Sequence, residues 1–315
     1  MDSVDVSVII PNYNHAAFLE RRIDSVIHQT FTNYEIIILD DCSSDNSRAI
    51  IEKYRKEEKV KHIVYNEQNS GNTFSQWKKG LSLAKGKFIW FAESDDYNDS
   101  RFLEKMVPVI AGNKNIGLVF CSSFLVNEHD EILQSWTFGK APDRPEDGYG
   151  LYTGRQFFFE HLVHKNVIPN ASGVLIRRGQ LVGNSVWISE DLKNSGDWKL
   201  WLHLSLCADI AYVSETLNYF RKHGSNVTRS NSLLKSEALS FLKNFLPAAR
   251  SRREKSKIYR SLLTWSFHQA PWIIGSKVNL ANMRFYFHNN LSTGSLSAFT
   301  RYLIIATAKA AIKSF

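Results

Sequence analysis

Short apolar runs alternate with amphipathic segments along the first third of the chain. The runs are rich in β-branched and aromatic residues, as is typical of buried strands, and they occupy 4–10, 35–39, 60–65 and 88–91. Between the first two runs, apolar residues recur on one face of a predicted helix: Leu19, Ile23, Val26 and Ile27. Asn14 is expected to cap that helix. Strands alternating with helices predict an α/β fold, with a mainly parallel, Rossmann-like central sheet that is flanked by helices.

Each of the predicted strands is followed by a polar segment. These segments are 11–14, 40–41, 70–72 and 93–96. The carboxyl ends of parallel strands lie along the same edge of a sheet, and open α/β sheets bind their ligands there. We therefore expect the four polar segments to converge on one edge and to form a binding site.

The segment after the fourth run carries Glu93, Asp95 and Asp96, three carboxylates within four residues. Grouped carboxylates repel one another unless a cation neutralises them. Carboxylate oxygens bind hard divalent cations such as Mg²⁺ or Mn²⁺, and Mg²⁺ is often shared with substrate phosphates. A solvated acidic turn is the other interpretation of this segment taken alone. The neighbouring polar segments favour the metal.

The pattern also predicts elements in the middle of the chain. A helix is expected over 101–112, and strands over 118–121 and 172–176. Residues 134–152 contain two Pro and three Gly with little periodicity, which predicts a loop, and long loops on α/β scaffolds often carry binding specificity. Ser195 is expected to cap a further buried helix. The inward-facing residues of that helix are Trp198, Trp201 and Leu202.

Several of these motifs, taken together, resemble family 2 glycosyltransferases. The resemblance is carried, in order along about the first 230 residues, by 6–14, 40–45, 70–72, 93–96, 170–173, 196–201 and 223–227. It implies the GT-A fold and an inverting transfer of a sugar from a nucleotide diphosphate donor. A uridine diphosphate sugar is the expected donor, and thymidine diphosphate sugars are the other option. The implied acceptor is a saccharide or lipid-linked saccharide in bacterial surface-polysaccharide synthesis.

The resemblance also implies roles for individual residues. The donor nucleotide is expected to contact Pro11, Asn12, Tyr13, Asn14, Asp40, Asp41, Gly71, Asn72 and Asp95. Asp95, Asp96 and His223 are expected to hold Mn²⁺ or Mg²⁺, which stabilises the charge on the leaving nucleotide. His223 and Arg221 are the expected contacts to the pyrophosphate. Asp197 is the expected general base, which takes the proton of the acceptor hydroxyl.

The chain departs from the family pattern at two positions. Glu93 stands where the metal motif usually begins with Asp, which leaves its role as a ligand open. Gly196 stands where an acid usually precedes the base, so Asp197 is the only acidic candidate in that motif, with Glu190 and Asp191 next in line. The glycine keeps a second hypothesis open, a nucleotide-sugar binding module without catalysis. Measured turnover would separate the two.

The length of the chain leaves room for material beyond one α/β core. At 315 residues and 43% hydrophobic, the chain can bury a full core of that kind. We predict a GT-A domain over 1–230, with a nucleotide-sugar half at about 1–122 and an acceptor half at about 123–230. A basic, aromatic-rich helical extension is predicted over 231–315.

Positive charge is concentrated in that extension. Residues 235–315 carry 13 Lys or Arg against two acids, a net charge of +11, whereas the whole chain is at +8 and residues 1–234 are at −3. Basic residues near aromatic ones favour a segment that lies on an anionic membrane surface, and a solvated helix is the alternative. The pI near 9.2 also suggests a nucleic-acid-binding protein. Such proteins need a basic recognition face, whereas the ordered motifs here are acidic, so no nucleic-acid partner is expected.

Cysteines and hydropathy bear on the compartment. Cys42, Cys121 and Cys207 are too widely spaced for a disulfide framework or a zinc site, which suits a reducing compartment. The first strand begins near residue 4, so no secretory signal is expected. No apolar run approaches the ~18 residues of a spanning helix. We expect a cytoplasmic protein, peripheral on the cytoplasmic face of the membrane.

Overall fold

The computed structural model describes residues 4–138, 148–182, 188–224 and 231–267. The chain divides into two compact units, Met1–Arg229 and Ser230–Phe315. The strands of the described residues are β1 Val6–Asn12, β2 Tyr34–Asp40, β3 Val60–Tyr65, β4 Phe88–Phe91, β5 Tyr97–Asn98, β6 Ile116–Val126, β7 Ile132–Trp136, β8 Tyr149–Tyr152, β9 Val174–Arg177 and β10 Asp209–Arg221. The helices are α1 Ala16–Ile27, α2 Ser47–Lys53, α3 Thr73–Leu83, α4 Phe102–Gly112, α5 Gly154–Phe157, α6 Arg178–Val182, α7 Gly196–Cys207, α8 Asn231–Leu242 and α9 Arg252–Phe267.

The first four strands form a parallel half of the sheet in the order β3-β2-β1-β4. Every residue of β1, β2 and β4 is buried, because helices cover both faces of these strands. Val8 belongs to the core cluster that also contains the apolar face of α1, whereas Ile9 packs against Gly80 of α3. The predicted α/β fold with a central sheet flanked by helices is confirmed.

The second half of the sheet is mixed. β9 runs antiparallel to both β4 and β6, whereas β10 runs parallel to β6 and antiparallel to β5. β9 therefore joins the parallel half to the rest, and it is preceded by a short 3-10 turn at Ala171–Gly173. The helix predicted over 101–112 is confirmed as α4, and the strand predicted over 118–121 is confirmed within β6. The strand predicted over 172–176 is present as β9, which begins two residues later because Ser172 and Gly173 belong to the 3-10 turn.

The loop predicted over 134–152 is wrong at both ends. β7 pairs with the end of β6 as a hairpin, and β8 pairs with β10. Residues 139–147 lie outside the described ranges. The glycine and proline content of the segment hid one strand of a hairpin, β7, and one strand with a distant partner, β8.

The start of α1 also differs from the prediction. Asn14 has a left-handed backbone conformation with φ 55°, and His15 is the residue that precedes the helix. The Oδ2 of Asp45, in the loop after β2, accepts a hydrogen bond from the N–H of Ala16 at 2.8 Å. A carboxylate from a neighbouring loop therefore satisfies the helix end that Asn14 was expected to cap. At α7, Ser195 does precede the helix, and Trp198, Trp201 and Leu202 are buried as predicted.

The second unit contains α8, a 3-10 segment at Lys243–Ala248, and α9. Its buried apolar residues include Ala238, Phe241, Leu242, Phe245, Ile258 and Leu262. Among the described residues, no helix combines the length and the apolar composition that crossing a bilayer requires. The remainder of the predicted extension, from residue 268 onward, lies outside the described ranges.

Candidate active site

Side-chain hydrogen bonds tie the loops after β1 and β2 to each other. Asn12 Nδ2 donates to Asp40 Oδ1 at 2.8 Å and to Ser43 Oγ at 3.1 Å. Asn14 adds a second tie, since its Oδ1 accepts from the backbone N–H of Ser44 at 2.8 Å. The left-handed conformation of Asn14 is one that asparagine adopts more readily than most residues. These two polar segments therefore meet at the sheet edge where the parallel topology places them.

Tyr13 carries the exposed aromatic ring of the first loop. Its side chain is 44% exposed, whereas Pro11 and Asn12 on the same strand end are buried. An exposed aromatic ring beside a nucleotide site is available to stack on a base, because no protein contact has to be broken first. The contact predicted for Tyr13 stays a prediction, with the ring suitably exposed, while Pro11 and Asn12 shape the loop.

Asp41 has its carboxylate fully engaged by protein donors. Asn66 Nδ2 and Gln76 Nε2 donate to Oδ1 at 2.6 and 2.9 Å, and the Ser70 hydroxyl donates to Oδ2 at 2.7 Å. The backbone N–H of Ser70 donates to both oxygens. Asp41 thus braces the 70–72 segment, and its predicted direct contact to the donor stays a prediction. Asp40 is also buried and bonded to the first loop.

Asn72 joins this edge to the loop that precedes α7. Its Oδ1 caps α3, and its Nδ2 donates to the backbone carbonyls of Glu190 and Leu192. Gly71, beside it, has φ +70° with open space around the position of a Cβ, so the turn requires glycine for its backbone conformation. Because Asp197 begins the helix after this loop, Asn72 connects the nucleotide half of the site to the predicted base.

His15, Asp95 and His223 form a compact group. One ligand atom from each lies within 4.8 Å of the other two, and Asp95 Oδ2 is 3.0 Å from His223 Nε2. His15 Nδ1 pairs with Ser94 Oγ at 2.8 Å. Burial alone would raise the pKa of Asp95, but the His223 hydrogen bond and the charge of His15 outweigh it and hold the pKa below its usual value. Burial lowers the pKa of His15, which favours the neutral imidazole that a metal requires.

Asp96 does not belong to this group. Its Oδ2 accepts from Asn170 Nδ2 at 2.5 Å and from Ser172 Oγ at 2.6 Å, and its Oδ1 accepts from the backbone N–H of Arg221 at 2.9 Å. Burial, reinforced by repulsion from Asp95, raises the pKa of Asp96 to about 7. The predicted role of Asp96 as a direct metal ligand stays a prediction, and in this structure its carboxylate accepts from three protein donors. It fastens the acidic segment to β9 and β10, strands that the segment's own sequence does not reveal.

Arg22 is a site residue that the sequence argument missed. Its guanidinium is fully buried, with Nε donating to the carbonyl of Glu93 at 2.8 Å and Nη1 donating to Asn98 Oδ1 at 2.8 Å. Burial lowers its pKa to about 10, against the pull of the acidic segment, so the group stays cationic at neutral pH. The available signal was its position on the apolar face of α1 beside Leu19 and Ile23, where a solvated charge has no place.

Arg221 is also buried, and its guanidinium bonds to protein oxygens. Its Nε donates to the carbonyl of Asp95 at 2.8 Å and its Nη1 to the carbonyl of Asn127 at 2.9 Å. The guanidinium lies 4.7 Å from the ring centroid of Phe18 and forms an ion pair with Asp130. Arg221 thus braces the acidic segment in this structure, and its predicted pyrophosphate contact stays a prediction.

Asp197 lies in the first turn of α7. Its Oδ1 accepts from the backbone N–H of Trp198 at 2.6 Å, and its Oδ2 accepts from Asn166 Nδ2 at 3.1 Å. Trp198 is buried and donates its indole N–H to the carbonyl of Leu162 at 2.8 Å. These hydrogen bonds fix the start of α7 and hold the Asp197 carboxylate in a defined orientation.

Sequence comparison places the chain in a family. The sequence model of the family Glycosyl transferase family 2 matches residues 7–161, which include the cross-tied loops and the acidic segment. The chain belongs to glycosyltransferase family 2.

Relatives and solved structures agree with this assignment. An uncharacterized glycosyltransferase of Nostoc sp. is 30% identical over 229 residues, 70% of this chain and 66% of the relative. Poly(ribitol-phosphate) beta-N-acetylglucosaminyltransferase TarS of Staphylococcus aureus is 27% identical over 224 residues, 68% of this chain and 35% of the relative. The chain thus matches about two thirds of the first and about one third of the second.

The fold is that of solved glycosyltransferases. The crystal structure of Staphylococcus aureus TarS 1-349 with UDP-GlcNAc has a TM-score of 0.64 at 20% identity, covering 88% of this chain and 77% of that one. The mannosyltransferase PcManGT of Pyrobaculum calidifontis with GDP-Man and Mn²⁺ has a TM-score of 0.53 at 14% identity, covering 96% and 85%. The GT-A fold predicted from the sequence is confirmed.

The two departures from the family pattern both contact α3. Glu93 accepts from the indole N–H of Trp77 at 2.7 Å and from Thr73 Oγ1 at 3.3 Å, so its carboxylate faces that helix. Burial raises the pKa of Glu93 to about 8, and the nearby Asp95 adds to the effect. A Cβ at Gly196 would lie 2.5 Å from the Phe74 ring, which explains why no acid stands there.

Proposed function

We propose that the chain is a metal-dependent, inverting glycosyltransferase. It moves a sugar from a uridine diphosphate donor to a saccharide or lipid-linked saccharide in surface-polysaccharide synthesis. The observation that carries the proposal is the group of His15, Asp95 and His223 beside the cross-tied loops at the carboxyl edge of the parallel strands. The name of TarS, its complex with UDP-GlcNAc and the Mn²⁺ complex of PcManGT support the donor class and the divalent ion.

The donor atoms on the acidic segment fit a divalent cation. Asp95 and His223 would hold it, since carboxylate oxygen and imidazole nitrogen are both metal ligands and here lie 3.0 Å apart. When bound, such an ion offsets the negative charge that develops on the leaving diphosphate. Arg22 is buried beneath the segment, and its positive charge lowers the electrostatic cost of burying the neighbouring carboxylates.

Asp197 supplies the acid–base chemistry in this proposal. It takes the proton of the acceptor hydroxyl while that oxygen forms a bond to the anomeric carbon. The bond from the same carbon to the diphosphate breaks on the opposite face, and the bonding electrons leave with the nucleotide. Configuration is inverted in a single displacement. The hydrogen bonds from Trp198 and Asn166 orient the carboxylate for this step.

Turnover with a panel of nucleotide sugars and Mn²⁺ tests this proposal, with released nucleotide as the readout. Asp197→Asn should keep donor binding, measured by thermal shift, and lose roughly 10²–10⁴-fold in turnover, the usual contribution of a positioned acid or base. Asp191→Asn is the matched control, because Asp191 accepts from Ser189 and is the next acid in line. An active Asp197→Asn enzyme alongside an inactive Asp191→Asn enzyme would move the role to Asp191.

A binding module without catalysis is the second candidate, suggested by Gly196. Nucleotide binding without turnover in the wild type would favour it. The packing of Phe74 against Gly196 gives a steric reason for the missing acid, so the glycine does not by itself favour a protein without catalysis, and the enzyme is the preferred proposal.

We also propose that the second unit binds an anionic membrane surface, as part of a cytoplasmic, peripheral enzyme. Exposed basic side chains on α9 support this: Arg252, Arg253, Lys255 and Arg260. Each basic residue near an anionic surface contributes about 1 kcal/mol.

A further inference from the structure

We propose that His15 is a third protein ligand of the metal, and that the resulting site of two imidazoles and one carboxylate takes Mn²⁺ or a similar transition ion in preference to Mg²⁺. The inference rests on the proposed function and goes beyond it by fixing the ligand set and the class of ion. No motif in the sequence assigns a metal to His15, which lies about eighty residues before the acidic segment.

The position of the His15 ring is set by its neighbours. His15 follows the loop after β1 and precedes α1, and its Nδ1 pairs with the hydroxyl of Ser94 at 2.8 Å. Ser94 is 2% exposed and stands directly before Asp95 in the chain. A histidine that binds a metal almost always has its other ring nitrogen held by such a partner. Nε2 is consequently the nitrogen of His15 that would ligate the ion.

Phe18 helps to fix both imidazoles. Its ring lies 6.2 Å from that of His15 and 4.8 Å from that of His223, and the two imidazoles are 5.4 Å apart and nearly perpendicular. The rings are thus packed in place before any ion arrives. This preformed arrangement reduces the ordering that binding would require.

The chemistry of the three donors selects the ion. Mg²⁺ prefers oxygen ligands in a near-ideal octahedron. A site that contains imidazole nitrogen also binds divalent first-row transition ions, with an affinity that rises from Mn²⁺ through Fe²⁺ to Co²⁺. Asp95 is the one carboxylate in the group. Asp96, which would add a second, is bonded to Asn170, Ser172 and the N–H of Arg221. A nitrogen-rich set therefore replaces the oxygen-rich set that Mg²⁺ requires.

Metal titration of the full chain tests the proposal directly. We would measure binding of MnCl₂ alone by electron paramagnetic resonance, with MgCl₂ as competitor, for the wild type and His15→Gln. The wild type should bind Mn²⁺ more tightly than Mg²⁺. His15→Gln should weaken Mn²⁺ by about 10-fold or more, since even outer-shell changes cost about 10–100-fold, and should weaken Mg²⁺ much less. His28→Gln, an exposed histidine at the other end of α1, is the control and should bind as the wild type does.

Pulsed resonance on the bound Mn²⁺ separates a ligand from a merely structural residue. The wild type should show nitrogen couplings from two imidazoles and His15→Gln from one, with unchanged thermal stability of the metal-free proteins as the folding check. Ser94→Ala should keep both couplings but bind more weakly, since it removes only the partner of Nδ1.

Two outcomes would overturn the inference, and they are distinguishable. Equal Mn²⁺ affinity and equal nitrogen couplings in the wild type and His15→Gln, with binding lost in Asp95→Asn, would remove His15 from the ligand set and leave the proposed function standing. Absence of Mn²⁺ and Mg²⁺ binding by the wild type, with or without UDP, would overturn the metal-dependent function itself.

Discussion

The acidic edge of the first unit and the basic helix α9 of the second use charge in opposite ways. At the acidic edge the charged groups are buried or half-buried and have named partners, as with Asp96 and its three donors. On α9 the basic side chains are exposed. Breaking a buried pair leaves an uncompensated charge, so each residue matters individually, whereas exposed charges act mainly as a sum that salt screens. Charged residues thus act as individual contacts at the acidic edge and as a collective electrostatic field on α9.

The largest expected effect comes from the buried cation. Arg22→Met removes the guanidinium under the acidic segment, and we expect it to lower the free energy of unfolding by about 3–5 kcal/mol, measured by urea denaturation. Arg21→Met, one residue away, alters an exposed pair with Asp130 and should cost about 0–1 kcal/mol. Similar losses in the two variants would contradict the comparison.

A pH effect of a few kcal/mol is expected from Glu93. Its pKa is raised from 4.5 to about 8, so between these values the folded protein binds a proton that the unfolded chain has released. Stability of the metal-free protein should therefore fall as pH rises from about 4.5 to about 8, at up to about 1.4 kcal/mol for each pKa unit. Glu93→Gln should be more stable relative to the wild type at pH 8 than at pH 5. A difference that stays constant with pH would contradict the raised pKa.

Replacing Asn72 by Asp tests the effect of a carboxylate that faces backbone carbonyls instead of hydrogen-bond donors. Asn72→Asp keeps the cap of α3 but turns an acidic oxygen toward the carbonyls of Glu190 and Leu192. Lost hydrogen bonds and unfavourable contact should raise the barrier to transfer by about 1–3 kcal/mol. Turnover should fall while UDP affinity is kept. Loss of UDP affinity instead would restore the predicted donor contact of Asn72.

Single charges on α9 should have the smallest effect. Arg253→Gln should weaken binding to anionic vesicles by about 1 kcal/mol, measured by sedimentation. Replacing Arg252, Arg253, Lys255 and Arg260 together should abolish most of the vesicle binding. Raising ionic strength should mimic the combined change, because the Debye length shrinks to about 8 Å at 0.15 M. Equal binding to neutral vesicles would exclude the electrostatic account.

The sequence predicted the part of the molecule that local pattern determines. Apolar runs that alternate with amphipathic helices predicted the parallel strands, and the parallel topology predicted that the loops carrying Asn12 and Asp40 meet at one edge. β8 was missed because it is defined by a distant partner, β10, and β7 because it begins before the predicted loop and its hairpin with β6 carries no strong turn signal.

The same distinction separates the site residues that motifs predicted from those that sequence reasoning missed. Motif resemblance pointed to Asp95 and His223, which the structure brings together. Asp96 looked equivalent to Asp95 in sequence, but long-range donors on β9 and β10 hold it out of the group. His15 and Arg22 join the site through the orientation of α1 against the acidic segment, which no local pattern encodes.

The central claim is that a divalent ion on Asp95 fastens a nucleotide diphosphate to the acidic edge. The most direct test is the affinity for UDP by calorimetry, with Mn²⁺ and with chelator, in the wild type and in Asp95→Asn. Mn²⁺ should strengthen UDP binding to the wild type, and Asp95→Asn should bind UDP weakly and equally in both conditions. Equal affinity of the wild type for UDP with Mn²⁺ and with chelator would contradict the account.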